Sequence, residues 1–162
     1  SNATIVMDQP WAHIYNGLRG SGTFTLDSST LVRGGNGTIQ TLGNRLINRG
    51  QVRADVPGAS IKLTADLVLN EGLLRAENDA TLELAESDDH WINAPSGQIS
   101  GEGGTLELAG LGLNQGVIAA RSASVRIWKD FFNEGVLAID PESSWNLLED
   151  FTQAQQIGRA HV

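Results

Sequence analysis

Asp88-Asp89-His90 puts two carboxylates and an imidazole into one short stretch, the residue types that serve as general acids, general bases and calcium ligands. Such work requires the groups to converge on one point. Adjacent residues of a strand or loop point apart, so partners must come from elsewhere in the chain. The equivalent corners of the neighbouring repeats described below read Thr64-Ala65-Asp66 and Leu108-Ala109-Gly110, and they offer only Asp66. Asp66, Asp88 and Asp89 are therefore the candidate metal ligands and His90 a candidate ligand contact, set against the plainer reading of a solvated acidic loop. Trp128 is the second candidate contact. It lies one step past the inward Ile127 and is the aromatic expected to be exposed, where an indole can stack on a sugar.

Other arrangements lack a necessary part. Gly34-Gly35-Asn36-Gly37 and Gly101-Glu102-Gly103-Gly104 each feed a strand, so they have no helix N-terminus to complete a phosphate cradle. His13, His90 and His161 are scattered without zinc spacing, and the absence of Cys removes thiolate chemistry and Cys-based zinc sites. No Gly-x-Ser-x-Gly elbow occurs, and only Thr23-x-Thr25 resembles the hydroxyl array of an ice-binding face. No catalytic residue is nominated and no cofactor is implied. A net charge of −8 with dispersed Lys and Arg disfavours nucleic acid and anionic membrane surfaces as partners. No run of 18 apolar residues is present, so no membrane insertion by this segment is expected.

The elements that must position these residues are repeats. Asn48-Arg49-Gly50-Gln51-Val52, Asn70-Glu71-Gly72-Leu73-Leu74, Ser96-Gly97-Gln98-Ile99, Asn114-Gln115-Gly116-Val117-Ile118 and Asn133-Glu134-Gly135-Val136-Leu137 are near-copies. Their glycines stand 22, 25, 19 and 19 residues apart, the length of one β-solenoid coil and too short for a helical hairpin. A second motif, a small residue followed by alternating apolar positions, recurs with its first apolar member at Ile39, Ile61, Leu82, Leu106, Val125 and Trp145. A third apolar run precedes each Asn, as in Leu67-Val68-Leu69 and Phe131-Phe132. The reading is an all-β, right-handed, single-stranded parallel β-helix with three short strands per coil and about 19–25 residues per coil. Its handedness follows from the usual chirality of parallel crossovers. Five or six such coils make a rod of roughly 25 to 30 Å.

Period-two alternation sends Val52, Leu74, Ile99, Ile118 and Leu137 inward. The outward column of the second strand reads Gln40, Lys62, Glu83, Glu107, Arg126, Asn146, which predicts contacts of Lys62 with Glu83 and of Glu107 with Arg126 at a spacing of roughly 4.8 Å. Gly50, Gly72, Gly97, Gly116 and Gly135 are read as corner residues that tolerate positive φ. Asn48, Asn70, Asn114 and Asn133 are read either as the same kind of corner residue or as a ladder of side-chain amides, each donating to the next.

Along the chain, residues 1–3 look like an expression-tag scar, and 4–36 read as an irregular first coil or N-terminal cap. Within that stretch Phe24 is matched to the small-step strand, and Trp11 to Tyr15 to a cover over the open sheet edge. Residues 37–151 form the regular coils, with a bulge at Glu86 to His90, and 152–162 are a polar tail whose last six residues, 157–162, look non-native.

The apolar-x-Asn-x-Gly-x-apolar-x-Ala pattern, followed by Gly/Ala-Ser/Thr-apolar-x-apolar, resembles the right-handed parallel β-helix repeats of bacterial surface proteins, namely autotransporter passenger domains and filamentous-haemagglutinin-like adhesins. The resemblance covers residues 37–151. It implies a secreted or cell-surface chain, extracellular in location, that acts as a structural stalk or adhesive surface without catalysis of its own. The implied partner is a surface receptor or glycan, and open coil edges allow end-to-end self-association. The same coil also resembles carbohydrate-active β-helices, whose pectin-active members use clustered Asp as acid, base or calcium ligand. That likeness implies the alternative of a carbohydrate-binding, lyase-like or hydrolase-like segment.

Overall fold

A computed structural model describes residues 2–9, 11–17, 22–86 and 88–153. The chain winds as an all-β parallel solenoid, three strands to a turn and about 22 residues per turn. Three sheets of seven strands result. The first sheet begins with Ala3–Met7 and ends with Val136–Ile139, the second runs from Ala12–Asn16 to Ser144–Leu147, and the third from Thr23–Leu26 to Phe151–Gln153. Every strand pairs in parallel with its counterpart one turn away, so the hydrogen bonds run along the solenoid axis.

Alternation decides which side chains fill the interior. Val32, Val52, Leu74, Ile99 and Ile118 of the first sheet are fully buried and in register, with Leu137 packed against them at the end of the column. In the second sheet Leu63, Leu84, Leu108 and Ile127 form a like column. One large ring enters the third sheet's column at Trp91. A Cβ on Gly112, its register partner in the next turn, would overlap the indole, so the missing side chain is what gives Trp91 room. Phe131 follows at a ring-centroid distance of 5.7 Å from Trp91, and Phe151 stacks on Phe131 at 5.5 Å. Trp145 also packs inward, 6.2 Å from Phe131, whereas Phe132 points out.

Three details differ from the sequence reading. Ile39 pairs with Leu63, not Ile61, so Thr38 rather than Gln40 stands over Lys62. Gly37 takes the inward place opposite Ile61, and the Met7 side chain occupies the space a Cβ there would need. The N-terminal stretch supplies strands to all three sheets: Ala3–Met7 and Thr30–Gly34 to the first, Ala12–Asn16 as the first strand of the second, and Thr23–Leu26 to the third, where Phe24 pairs with Leu46. Toward the C-terminus, Thr152 and Gln153 belong to the last strand, Phe151–Gln153, instead of a tail. Ser1 and residues 154–162, including His161, lie outside the described residues.

The glycine column has a different cause from the one the sequence suggested. Gly50, Gly72, Gly97, Gly116 and Gly135 all lack positive φ, which falls instead at Gly34, Gly43, Gly58, Gly103 and Gly110. What singles out the column is contact along the axis. A Cβ on Gly72 would overlap Gly50 O, one on Gly116 would overlap Gly97 O, and one on Gly135 would overlap Gly116 O. Because the obstacle is backbone, no rotamer relieves it. Gly116→Ala is therefore expected to cost at least about 2–3 kcal/mol in urea unfolding. Gly58→Ala, at φ 72° with nothing within 4 Å, should cost only about 1–2 kcal/mol from left-handed strain.

Candidate functional site

Inside the corner between the third and first sheets runs a continuous column of amides. Asn48 Nδ2 donates to Asn70 Oδ1 at 2.8 Å, Asn70 to Asn93 at 2.8 Å, Asn93 to Asn114 at 2.7 Å, and Asn114 to Asn133 at 2.7 Å. Asn133 passes the bond to Gln153 Oε1 at 2.9 Å. The second proton of each Nδ2 is used as well: Asn48, Asn70 and Asn93 donate to Leu73 O, Gln98 O and Val117 O of the following turn, each at 3.1 Å. The asparagines are buried, and none of them has positive φ, so the corner-residue alternative does not describe them. Asn93 was missed by sequence because Ala94-Pro95-Ser96 separates it from Gly97, where the other coils have a single residue between Asn and Gly. At the opposite end, Leu26 sits one turn before Asn48, and Asn48 Oδ1 has no hydrogen-bond partner.

The described residues of the acidic segment are divided between two clefts. Asp89 Oδ2 accepts from Thr64 Oγ1 at 3.1 Å and from the Glu86 N–H at 2.9 Å, so this carboxylate closes its own turn and ties it to the turn before. Asp88 and Asp89 face a shallow cleft shared with Lys129, Asp130 and Glu149. Asp66 and His90 fall instead on a different groove, of about 580 Å³, beside Trp91, Leu111 and Phe132. Among the described residues no three His, Asp or Glu side chains form a metal-holding group. The carboxyls with displaced pKa values lie elsewhere. The Ser28 hydroxyl and the Ser28 and Ser29 N–H groups lower that of Asp27, and the Ser143 hydroxyl, with the Ser122 N–H, lowers that of Asp140. Both sit at corners, Asp27 exposed and Asp140 half-buried.

The outer faces differ from one another. On the third sheet Ile47, Leu69, Ile92, Leu113 and Phe132 stack in register, an apolar stripe that strict inside–outside alternation did not anticipate. The first sheet carries Arg33, Arg53 and Arg75 in one column, whose like charges are offset by Asp55, Glu77 and Glu102. The second sheet is polar. Arg126 Nη1 meets Glu107 Oε1 at 2.8 Å as the spacing predicted, but Lys62 Nζ passes its register partner Glu83 to reach Glu86 at 2.8 Å. Trp128, 45% exposed, borders a groove of about 510 Å³ on this face with Lys62, Glu83 and Glu107, so the structure keeps it apart from His90.

No family model, curated protein or solved structure matches this chain.

Removing an interior member of the amide column strands a donor on one side and an acceptor on the other. Asn93→Ala is expected to lower stability by about 2–4 kcal/mol, measured from denaturant midpoints. Asn48→Ala also deletes an acceptor that is already unpaired, and is expected to cost at least about 1 kcal/mol less.

Proposed function

We propose that this chain is a structural segment of a secreted or cell-surface, adhesin-like β-helix protein, without catalysis of its own. The observation that carries the reading is the division of labour in the fold. Its buried asparagines hold successive turns in register, while carboxylates such as Asp89 close corners and others, such as Glu77 and Glu107, pair with neighbouring cations. A bacterial source of the autotransporter or filamentous-haemagglutinin kind rests on the repeat resemblance alone. As a scaffold it would present its columns of outward side chains to a receptor or glycan at the cell surface. Among the described residues the end strands of each sheet pair on one side only, and these edges support end-to-end association as a second contact.

The test is turnover. Incubated with neutral and acidic polysaccharides, with and without calcium, the chain is expected to release no reducing ends and no unsaturated products above a heat-treated control. Release that disappears in Asp89→Asn or His90→Ala would overturn the scaffold reading in favour of a carbohydrate-active one. Sedimentation velocity across a wide concentration range is expected to show growth by end-to-end association. A monomer at every concentration would contradict that contact.

A further inference from the structure

Trp11 stands where a tryptophan is costly. The Ala12 N–H donates to Gln9 O at 3.1 Å, closing a four-residue turn whose third position, Trp11, has φ 76°. A turn closed in the same way, Ala59 N–H to Val56 O at 3.1 Å, places Gly58 at that position with φ 72°. Positive φ at the third turn residue is a glycine preference, and for a bulky side chain it is a marked outlier. Packing does not compensate for it, because Trp11 is 85% exposed. Strain retained at an exposed aromatic is a feature of binding surfaces.

The surroundings indicate what would be bound. Trp11 borders a groove of about 360 Å³ with His13, Thr38, Ser60, Lys62 and Glu83. Lys62 and Glu83 also line the groove that reaches Trp128, so the two indoles stand toward opposite ends of one strip on the second sheet. Trp11 precedes the first strand of that sheet and Trp128 follows the sixth, which separates them by about 24 Å along the axis at the usual strand spacing. Between them Ser60, Thr81, Thr105 and Ser124 form an in-register column of hydroxyls. Lys62 pairs with Glu86, Arg126 with Glu107 and Lys129 with Glu149, so ion pairs offset most of the charge around these grooves and leave Glu83 in excess among those groups. Indoles that accept the apolar face of a pyranose, with hydroxyls and mostly paired charges that exchange hydrogen bonds with its rim, together fit one class of ligand.

We propose that the outer face of the second sheet binds a linear, uncharged oligosaccharide along the solenoid axis, with Trp11 and Trp128 as stacking platforms. This rests on the scaffold reading and gives that scaffold a ligand class. The test is calorimetric titration of the full chain with cellohexaose, xylohexaose and maltohexaose, with hexagalacturonate as charged comparator. At least one neutral hexasaccharide should bind saturably and more tightly than hexagalacturonate, and Trp11→Gly and Trp128→Ala should each weaken it about ten-fold. Trp11→Gly should melt at or above the wild-type temperature, since glycine relaxes the turn. No saturable binding at millimolar sugar, binding unchanged in Trp11→Gly, preference for hexagalacturonate, or a lowered melting temperature in that variant would overturn the inference. Binding that fails while the chain releases no sugar leaves the scaffold reading in place, whereas binding accompanied by turnover would overturn that reading and keep the site.

Discussion

An asparagine amide has two protons and one carbonyl oxygen, and this fold places five such side chains one above another where water does not reach. Each interior amide accepts from the turn before, donates to the turn after, and gives its second proton to a main-chain carbonyl beyond. That arrangement closes only if consecutive turns sit at strand spacing and in register, because a buried donor or acceptor left unpaired costs more than a made bond returns. The neighbouring glycines belong to the same constraint. They let each turn come down onto the carbonyls of the one before it, which a Cβ would prevent. Hydrophobic burial drives the collapse of the coils, and the amide column with its glycines selects the stacking.

With register fixed from within, the outer surface is free to differ from sheet to sheet. The arginine column of the first sheet, the ion-paired polar strip of the second and the apolar stripe of the third share one backbone frame. Each face presents side chains at the strand spacing along the axis, suited to ligands that are themselves periodic. The proposed stalk or adhesive role would use this combination of an internally registered core and interchangeable faces. Catalysis would need groups drawn together from neighbouring turns. Here Asp89 is occupied with its own turn, and Asp66 and His90 open onto an apolar groove.

Much of the architecture was legible because a solenoid repeats its instructions. Strand type, inward columns and three strands per coil follow from alternation and from the Asn-x-Gly phrase. What stayed hidden has specific causes. Alternation is blind to a slip of two residues, since both registers keep the same faces inward, and Ile39 was therefore matched to Ile61 when its partner is Leu63. Fixed spacing overlooked Asn93, where extra residues enter the corner before Gly97. Composition alone does not separate a glycine needed for φ from one needed for close approach, so the cause assigned to the glycine column required coordinates. The candidate site was harder still. Trp11 differs from an ordinary strand-edge aromatic only in its backbone angle, and the long side chain of Lys62 chooses Glu86 over the residue directly opposite.

The most direct test of the central claim is hydrogen exchange of the side-chain amides themselves, followed by nuclear magnetic resonance on isotopically labelled protein. If the column holds the turns together, the Nδ2 protons of Asn70, Asn93 and Asn114 will exchange as slowly as the backbone amides of Leu74, Ile99 and Ile118, opening only with the fold as a whole. Exchange of those three amides at the rate of exposed asparagine, under conditions where the backbone remains protected, would contradict the account.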